Sequence, residues 1–227
     1  MKAVMKSVSP RICEKVANGD CTVLVSKTAP KCGVPFKGYI YATKGTQGNS
    51  LLISKDGRHA IIGDYRNAFN CDVDGNVDWN IGNEHVIGEF VCDKIIEWQY
   101  NHDHKYYVDY PNDCTSYFPY LKCHSEATDL KCSELEKLGK GKPLYGWRIS
   151  DLKIYDEPKQ VSDFFKPCPD PYHYYRACKY GIITIPPDEE EYALYHGGQY
   201  DYWEEHCGNI LRNPPKGWQY VSEDNEE

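Results

Sequence analysis

A chain of 227 residues is long enough for one large domain, or for a barrel with a substantial appendage. Its 41% hydrophobic and 26% charged residues describe a globular protein and exclude a disordered one. No apolar run reaches the roughly 18 residues of a membrane span, and MKAVMKSVSP lacks the apolar core and cleavage site of a secretory signal. A cytoplasmic protein away from the membrane is the expectation. The net charge of −8 is unevenly spread. Residues 1–60 carry ten Lys/Arg against three Asp/Glu, a local charge of +7, whereas 61–154 carry −6 and 155–227 carry −9. A basic N-terminal third on an acidic chain points to an anion, phosphate first; a solvated helix and loop face accounts for the same residues. Eleven cysteines, an odd number without an export signal, read as reduced thiols. Twenty tyrosines supply flat, half-polar surface suited to binding.

In chain order, Ser9 and Pro10 open a short helix as N-cap and first helical residue. Ile12, Cys13, Val16 and Ala17 form its apolar stripe, and Asn18-Gly19 stops it. Thr22–Ser26 is a β-branched strand, and Phe36–Ala42 is another, with Tyr39 and Tyr41 on one face. Leu51–Ser54 and His59–Ile62 flank Lys55-Asp56-Gly57-Arg58, a hairpin with Asp-Gly at its tip. Asp72, Asp74 and Asp78 surround Gly75 without the spacing of a calcium loop, so a plain turn is favoured. Glu84–Ile96 is a buried strand apolar on both faces, and its one acid, Glu89, is either a pocket group or paired, the pocket being preferred. Residues 97–131 lack a period and read as a long loop; His102, His104, Cys114, Cys123 and His124 within it match no metal spacing. Ser133 caps a short helix, Glu134–Leu138. Tyr145–Tyr155 is a strand whose apolar pairs Trp147/Ile149 and Leu152/Ile154 are out of phase by one residue, which predicts a β-bulge near Ser150-Asp151. Val161–Phe165 is a short helix.

The helix–Gly–strand–Pro loop–strand order of Met5–Lys44, with the flanks SVSPRICEKVANGD and SKTAPKCGVPFKGYIYATKG, resembles the N-terminal signature of the ASCH family, a PUA-like β-barrel associated with RNA and modified nucleosides. VIGEFVCDKI and YGWRISDLKIY resemble later strands of the family, and PPKGWQYV at 214–221 resembles the closing strand, in a longer subgroup common in phages, prophages and Firmicutes. The family pattern GxKxxExR falls on Gly19, Cys21, Leu24 and Ser26, where the glycine alone is kept. The resemblance implies an α+β fold, a PUA-like ASCH-type β-barrel with short flanking helices and two insertions. The barrel would comprise residues 1–165 plus 213–222, with a hairpin insertion at 45–83. An acidic, Tyr/Cys-rich cap at 166–212 and a frayed tail at 223–227 complete it.

The resemblance brings with it acyl-transfer hydrolysis of modified cytidines, but leucine at position 24 can serve neither as nucleophile nor as proton carrier. One enzymatic reading survives, with no firm catalytic residue: Cys21 as a thiolate whose pKa is lowered by Lys15, Lys27 or Lys31, with His85 or Glu89 as base. The binding reading asks for less. Arg11, Lys15, Ser26, Lys27 and Lys31 would meet phosphates, and Tyr39, Tyr41 or Trp147 would stack on bases of RNA, single-stranded nucleic acid or a nucleotide. A third reading has the acidic C-terminal region, 188–205 above all, bind a host protein as a nucleic-acid mimic. No cofactor is expected. Zinc held by Cys168, Cys178, His206 and Cys207, with His173 and His196 nearby, competes with the reading of buried thiols.

Overall fold

The structure is a computed structural model describing residues 3–45, 50–64, 79–101, 105–107, 128–167 and 208–223. The chain begins on a strand that composition hides. AVMKSV shows no clean alternation, with Val4-Met5 both apolar and Lys6-Ser7 both polar, yet Ala3–Val8 (β1) lies between two neighbours in the main sheet. It runs parallel to Phe36–Ala42 (β3) and antiparallel to the closing strand Trp218–Glu223 (β12). Val4 and Met5 point to opposite faces and both are fully buried, as a central strand requires.

Helix α1, Pro10–Ala17, follows with Ser9 in the N-cap position and Pro at its start. It ends in a Schellman motif: the Gly19 N–H donates to the Val16 carbonyl at 3.0 Å and the Asp20 N–H to that of Lys15 at 2.8 Å. Gly19, at φ 79°, supplies the left-handed residue this turn needs. Val23–Ser26 (β2) pairs with Leu144–Lys159 (β9), which pairs with Val86–Asn101 (β7), and β7 pairs with β3. The strand read to end at Ile96 thus continues to Asn101 and pairs with Lys105–Tyr107 (β8), because Trp98 is buried against Leu144 and helix α2, Cys132–Gly139. Between Ser150 and Lys153 three steps of β9 oppose two of β7, with Asp151 at φ 46°; this is the bulge predicted there. Val161–Asp163 is a single 3-10 turn, and the residues after it, predicted as its continuation, form the strand Phe164–Pro167 (β10) between β12 and Gly208–Ile210 (β11).

Ser50–Ser54 (β4), Ala60–Gly63 (β5) and Trp79–Ile81 (β6) form a separate three-stranded sheet in the order β5-β4-β6. It is no isolated flap, since Leu51 and Ile53 join the principal core with Val4, Val8, Cys13, Val16, Leu24, Phe36, Ile40, Phe90 and Trp147. Helix α1 also guards the open edge of β5. Asn18 donates to the Ala60 carbonyl at 2.9 Å and accepts from the Ala60 N–H at 3.1 Å, and Glu14 accepts from the Ile62 N–H at 3.0 Å. The fold is α+β.

The main sheet coils until the loop after β2 meets β12, although β2 and β12 are five places apart in strand order. The Trp218 indole N–H donates to Thr28 Oγ1 at 2.8 Å, and the Lys31 N–H donates to the Tyr220 hydroxyl at 2.8 Å. These bonds and the packing of Trp147 on Trp218, 5.9 Å between rings, close the curl into a barrel. Gly38 is required inside it: a Cβ there would sit 2.3 Å from the Phe90 ring. The opposite face of the sheet carries a second core of Met5, Tyr39, Tyr41, Val86, Tyr155, Phe164 and Val221.

Candidate functional site

The loop 27–35 and the approach to β12 form one end of the barrel. Alternation sets what faces inward there. Lys6 lies between Val4 and Val8, Ser26 follows Leu24 by two, and Trp218 and Tyr220 are two apart, so all share the lumen face with Trp147. Lys6 is 6% exposed, and its Nζ stands over the Trp147 ring, 4.9 Å from the centroid. Among the described residues no carboxylate pairs with it, and burial lowers its pKa to about 8. Trp147 is fully buried, with Phe36 edge-on at 5.5 Å and Trp218 at 5.9 Å, and its indole N–H has no acceptor among the described residues. Trp218 in turn meets Tyr220 edge-on at 5.6 Å. Outside this aromatic row stand Lys27, Lys31 and Lys216, all exposed. Residues 21–36 and 208–222 hold no Asp or Glu, although the chain as a whole is acidic.

Four predicted binding residues therefore gather at this mouth: Ser26, Lys27, Lys31 and Trp147. The others do not. Arg11 turns toward α2, donating to the Asp129 carbonyl at 3.1 Å and reaching Glu134 at 3.4 Å. Lys15 pairs with Asp20 at 3.2 Å, an acid the helix stop brings back to it. Tyr39 and Tyr41, 1% and 4% exposed, pack in the second core, Tyr39 against Phe164 at 4.8 Å. They offer no face to a base, because both point away from the lumen.

The candidate catalytic groups are also rearranged. Cys21 is buried, with Sγ 3.5 Å from the Val23 carbonyl, and burial raises its pKa to about 11, the reverse of what a thiolate nucleophile needs. Glu89 is paired and does not serve a pocket. It accepts from the Tyr155 hydroxyl at 2.7 Å and meets Lys37 Nζ at 3.2 Å. Partial burial pushes its carboxyl upward, but these two partners outweigh that and hold it below the usual carboxylate range. His85 is engaged by the Asn83 carbonyl and Gln160, both at 2.7 Å. Cys168, Cys178, His206 and Cys207 lie outside the described residues, as do His173, His196, the 102–104 and 114–124 ligand candidates, Asp72, Asp74, Asp78 and segment 188–205. Among the described residues no three His, Cys, Asp or Glu side chains are grouped to hold a metal, and no helix is long and apolar enough to cross a membrane.

A groove of about 840 Å³ lies elsewhere, between the end of α1 and the β4–β5 hairpin, lined by Asn18, Lys55, Arg58, His59 and Trp79. Its Arg58 is partly offset by Asp56, 3.9 Å away, whose carboxylate is held ionised by the Ser54 hydroxyl and the Arg58 N–H.

Sequence reasoning missed Lys6, Trp218 and Tyr220. The signal for Lys6 is local: once AVMKSV is read as a strand, its lysine falls on the Val4/Val8 face. The other two become visible only when the absence of acid in 21–36 and 208–222 is compared across the chain.

No family model and no curated relative matches this chain. Among solved structures it is similar to the ASCH protein of Zymomonas mobilis, with a TM-score of 0.41 and 12% identity, the alignment covering 87% of this chain and 97% of that one. Two point variants of that protein give the same TM-score and identity, covering 85% and 70% of this chain and 94% and 76% of theirs.

Proposed function

We propose that the barrel mouth binds a nucleotide or the end of a single-stranded nucleic acid. One observation carries this reading: two acid-free segments, distant in sequence, place Lys27, Lys31 and Lys216 around the aromatic row Trp147–Trp218–Tyr220. Lysines answer phosphates without regard to base, and the half-buried Trp218 and Tyr220, backed by the fully buried Trp147, supply planar apolar surface for one. A stacked base is worth on the order of 1–3 kcal/mol, so binding needs no catalytic group. Such a binder resembles RNA-associated PUA-like modules, and it does not use Cys21, whose thiol stays neutral at pH 7.

The test is binding of a short single-stranded RNA across a salt series. Reversing Lys27 and Lys31 to Glu is expected to weaken binding more than about tenfold at 0.1 M salt and to flatten the salt slope by about 1.4, at roughly 0.7 per phosphate contact. Reversing Arg11 is expected to leave binding unchanged, since its charge is already answered by Asp129 and Glu134. Equal losses in both variants, or no binding by the parent protein, would overturn the reading.

A further inference from the structure

Lys6 is the one lysine on the lumen face of β1, and nothing in the mouth described above explains why it is there. An ammonium at 6% exposure with no carboxylate among the described residues is costly, and one indole face compensates it only partly. Its lowered pKa is the consequence of the same burial. The indole that carries it has a second deficit, a buried N–H without an acceptor among the described residues, where buried donors are normally paired. Ammonium and indole N–H are donors only. What both lack among the described residues is an acceptor, which a negatively charged oxygen would supply.

We propose that the barrel interior holds an oxyanion subsite, with the Lys6 ammonium and the Trp147 indole N–H as its donors, and that its occupant is the terminal phosphate of a nucleotide or nucleic-acid chain end. This rests on the nucleotide reading above and narrows it. An internal phosphodiester carries chain on both sides and cannot approach a group this deeply set; a terminal phosphate enters end-on. The walls suit a group attached to a flat ring, since Phe36, Trp147 and Trp218 meet edge to face and the charge set against them is the Lys6 ammonium. Entry passes beneath loop 27–35, which the Thr28–Trp218 and Lys31–Tyr220 hydrogen bonds fasten to β12. The buried Pro30 and the packing of Cys32 on the principal core also hold the loop, so entry needs it to lift from both. Lys27 and Lys31 on the same loop then close over the incoming charge.

The experiment is titration calorimetry at pH 7 on the parent protein, Lys6→Met and Trp147→Phe, the last keeping an aromatic ring while removing the N–H. Probes are uridine 5′-monophosphate, uridine, the carboxylate-bearing pyrimidine orotate, inorganic phosphate, and RNA hexamers with and without a 5′-phosphate. Thermal melts confirm that each variant folds. The expected result is at least tenfold tighter binding of the monophosphate than of uridine, and of the phosphorylated hexamer than of its hydroxyl counterpart. That preference is lost in Lys6→Met and reduced in Trp147→Phe. Preference for orotate over the monophosphate would overturn the phosphate assignment. The same phosphate preference in Lys6→Met would overturn the subsite. Salt-dependent hexamer binding indifferent to the terminal phosphate would overturn the subsite while leaving nucleic-acid binding intact, and failure of every probe on the parent protein would overturn both.

Discussion

Replacing Lys6 by methionine is expected to stabilise the protein, by an amount that depends on pH in a calculable way. Methionine keeps the unbranched length of the side chain and removes the charge. The Lys6 pKa falls from 10.5 to about 8 on folding because the ammonium is desolvated. Between those values the unfolded chain binds more protons than the folded one, so stability rises with pH through this window. Below pH 8 both states are protonated and the penalty is fully present. At about 1.4 kcal/mol per unit, a shift of this size costs roughly 3 kcal/mol at pH 7. At pH 10, where the unfolded chain is only partly protonated, the same linkage leaves roughly 1 kcal/mol. Ile40, Trp147 and Trp218, which face Lys6 from β3, β9 and β12, carry no titratable group, so the difference between parent and variant isolates Lys6. Guanidinium unfolding of both proteins at pH 7 and pH 10 measures it. A variant less stable than the parent at pH 7, or a gain independent of pH, would refute the assignment of Lys6 as an uncompensated buried cation. Phosphate or nucleotide added to the parent should narrow the gap.

Other outcomes follow from single contacts. Gly38→Ala drives a methyl into the Phe90 ring and should cost about 1–3 kcal/mol in chemical denaturation; a neutral result would mean the two strands can part at that point. Asn18→Ala removes both hydrogen bonds to Ala60 and should cost about 1–3 kcal/mol, with faster amide exchange at Ala60 itself. With a pKa near 11, Cys21 is about one part in a thousand thiolate at pH 8, so iodoacetamide should leave it unlabelled in the native protein while the partly exposed Cys32 reacts. Prompt alkylation of Cys21 would restore the thiolate reading that its burial opposes.

Local structure was legible wherever a short-range rule sufficed. Helix α1 and its glycine stop, the Asp-Gly hairpin, β3 and the bulge at Ser150-Asp151 follow from caps, turn residues and a slip in alternation, each decided within a few residues. β1 was not legible, because AVMKSV is too short and mixed to announce itself and becomes a central strand only through pairing with β3 and β12. The roles of the charged and aromatic side chains were decided still later. Arg11 and Lys15 look alike as free cations in sequence; their acids, Asp129, Glu134 and Asp20, reach them through α2 and through the turn after α1. Tyr39 and Tyr41 differ from Trp147 only in which face of the curled sheet they occupy, and a strand's own alternation separates faces without saying which becomes the lumen. Composition fixed the charge available near each end of the chain, whereas the coiling of the sheet brought residues 27–35 onto 218–220 and enclosed Lys6. Pairing between distant segments costs chain entropy that only the completed sheet repays, so no window of sequence contains it.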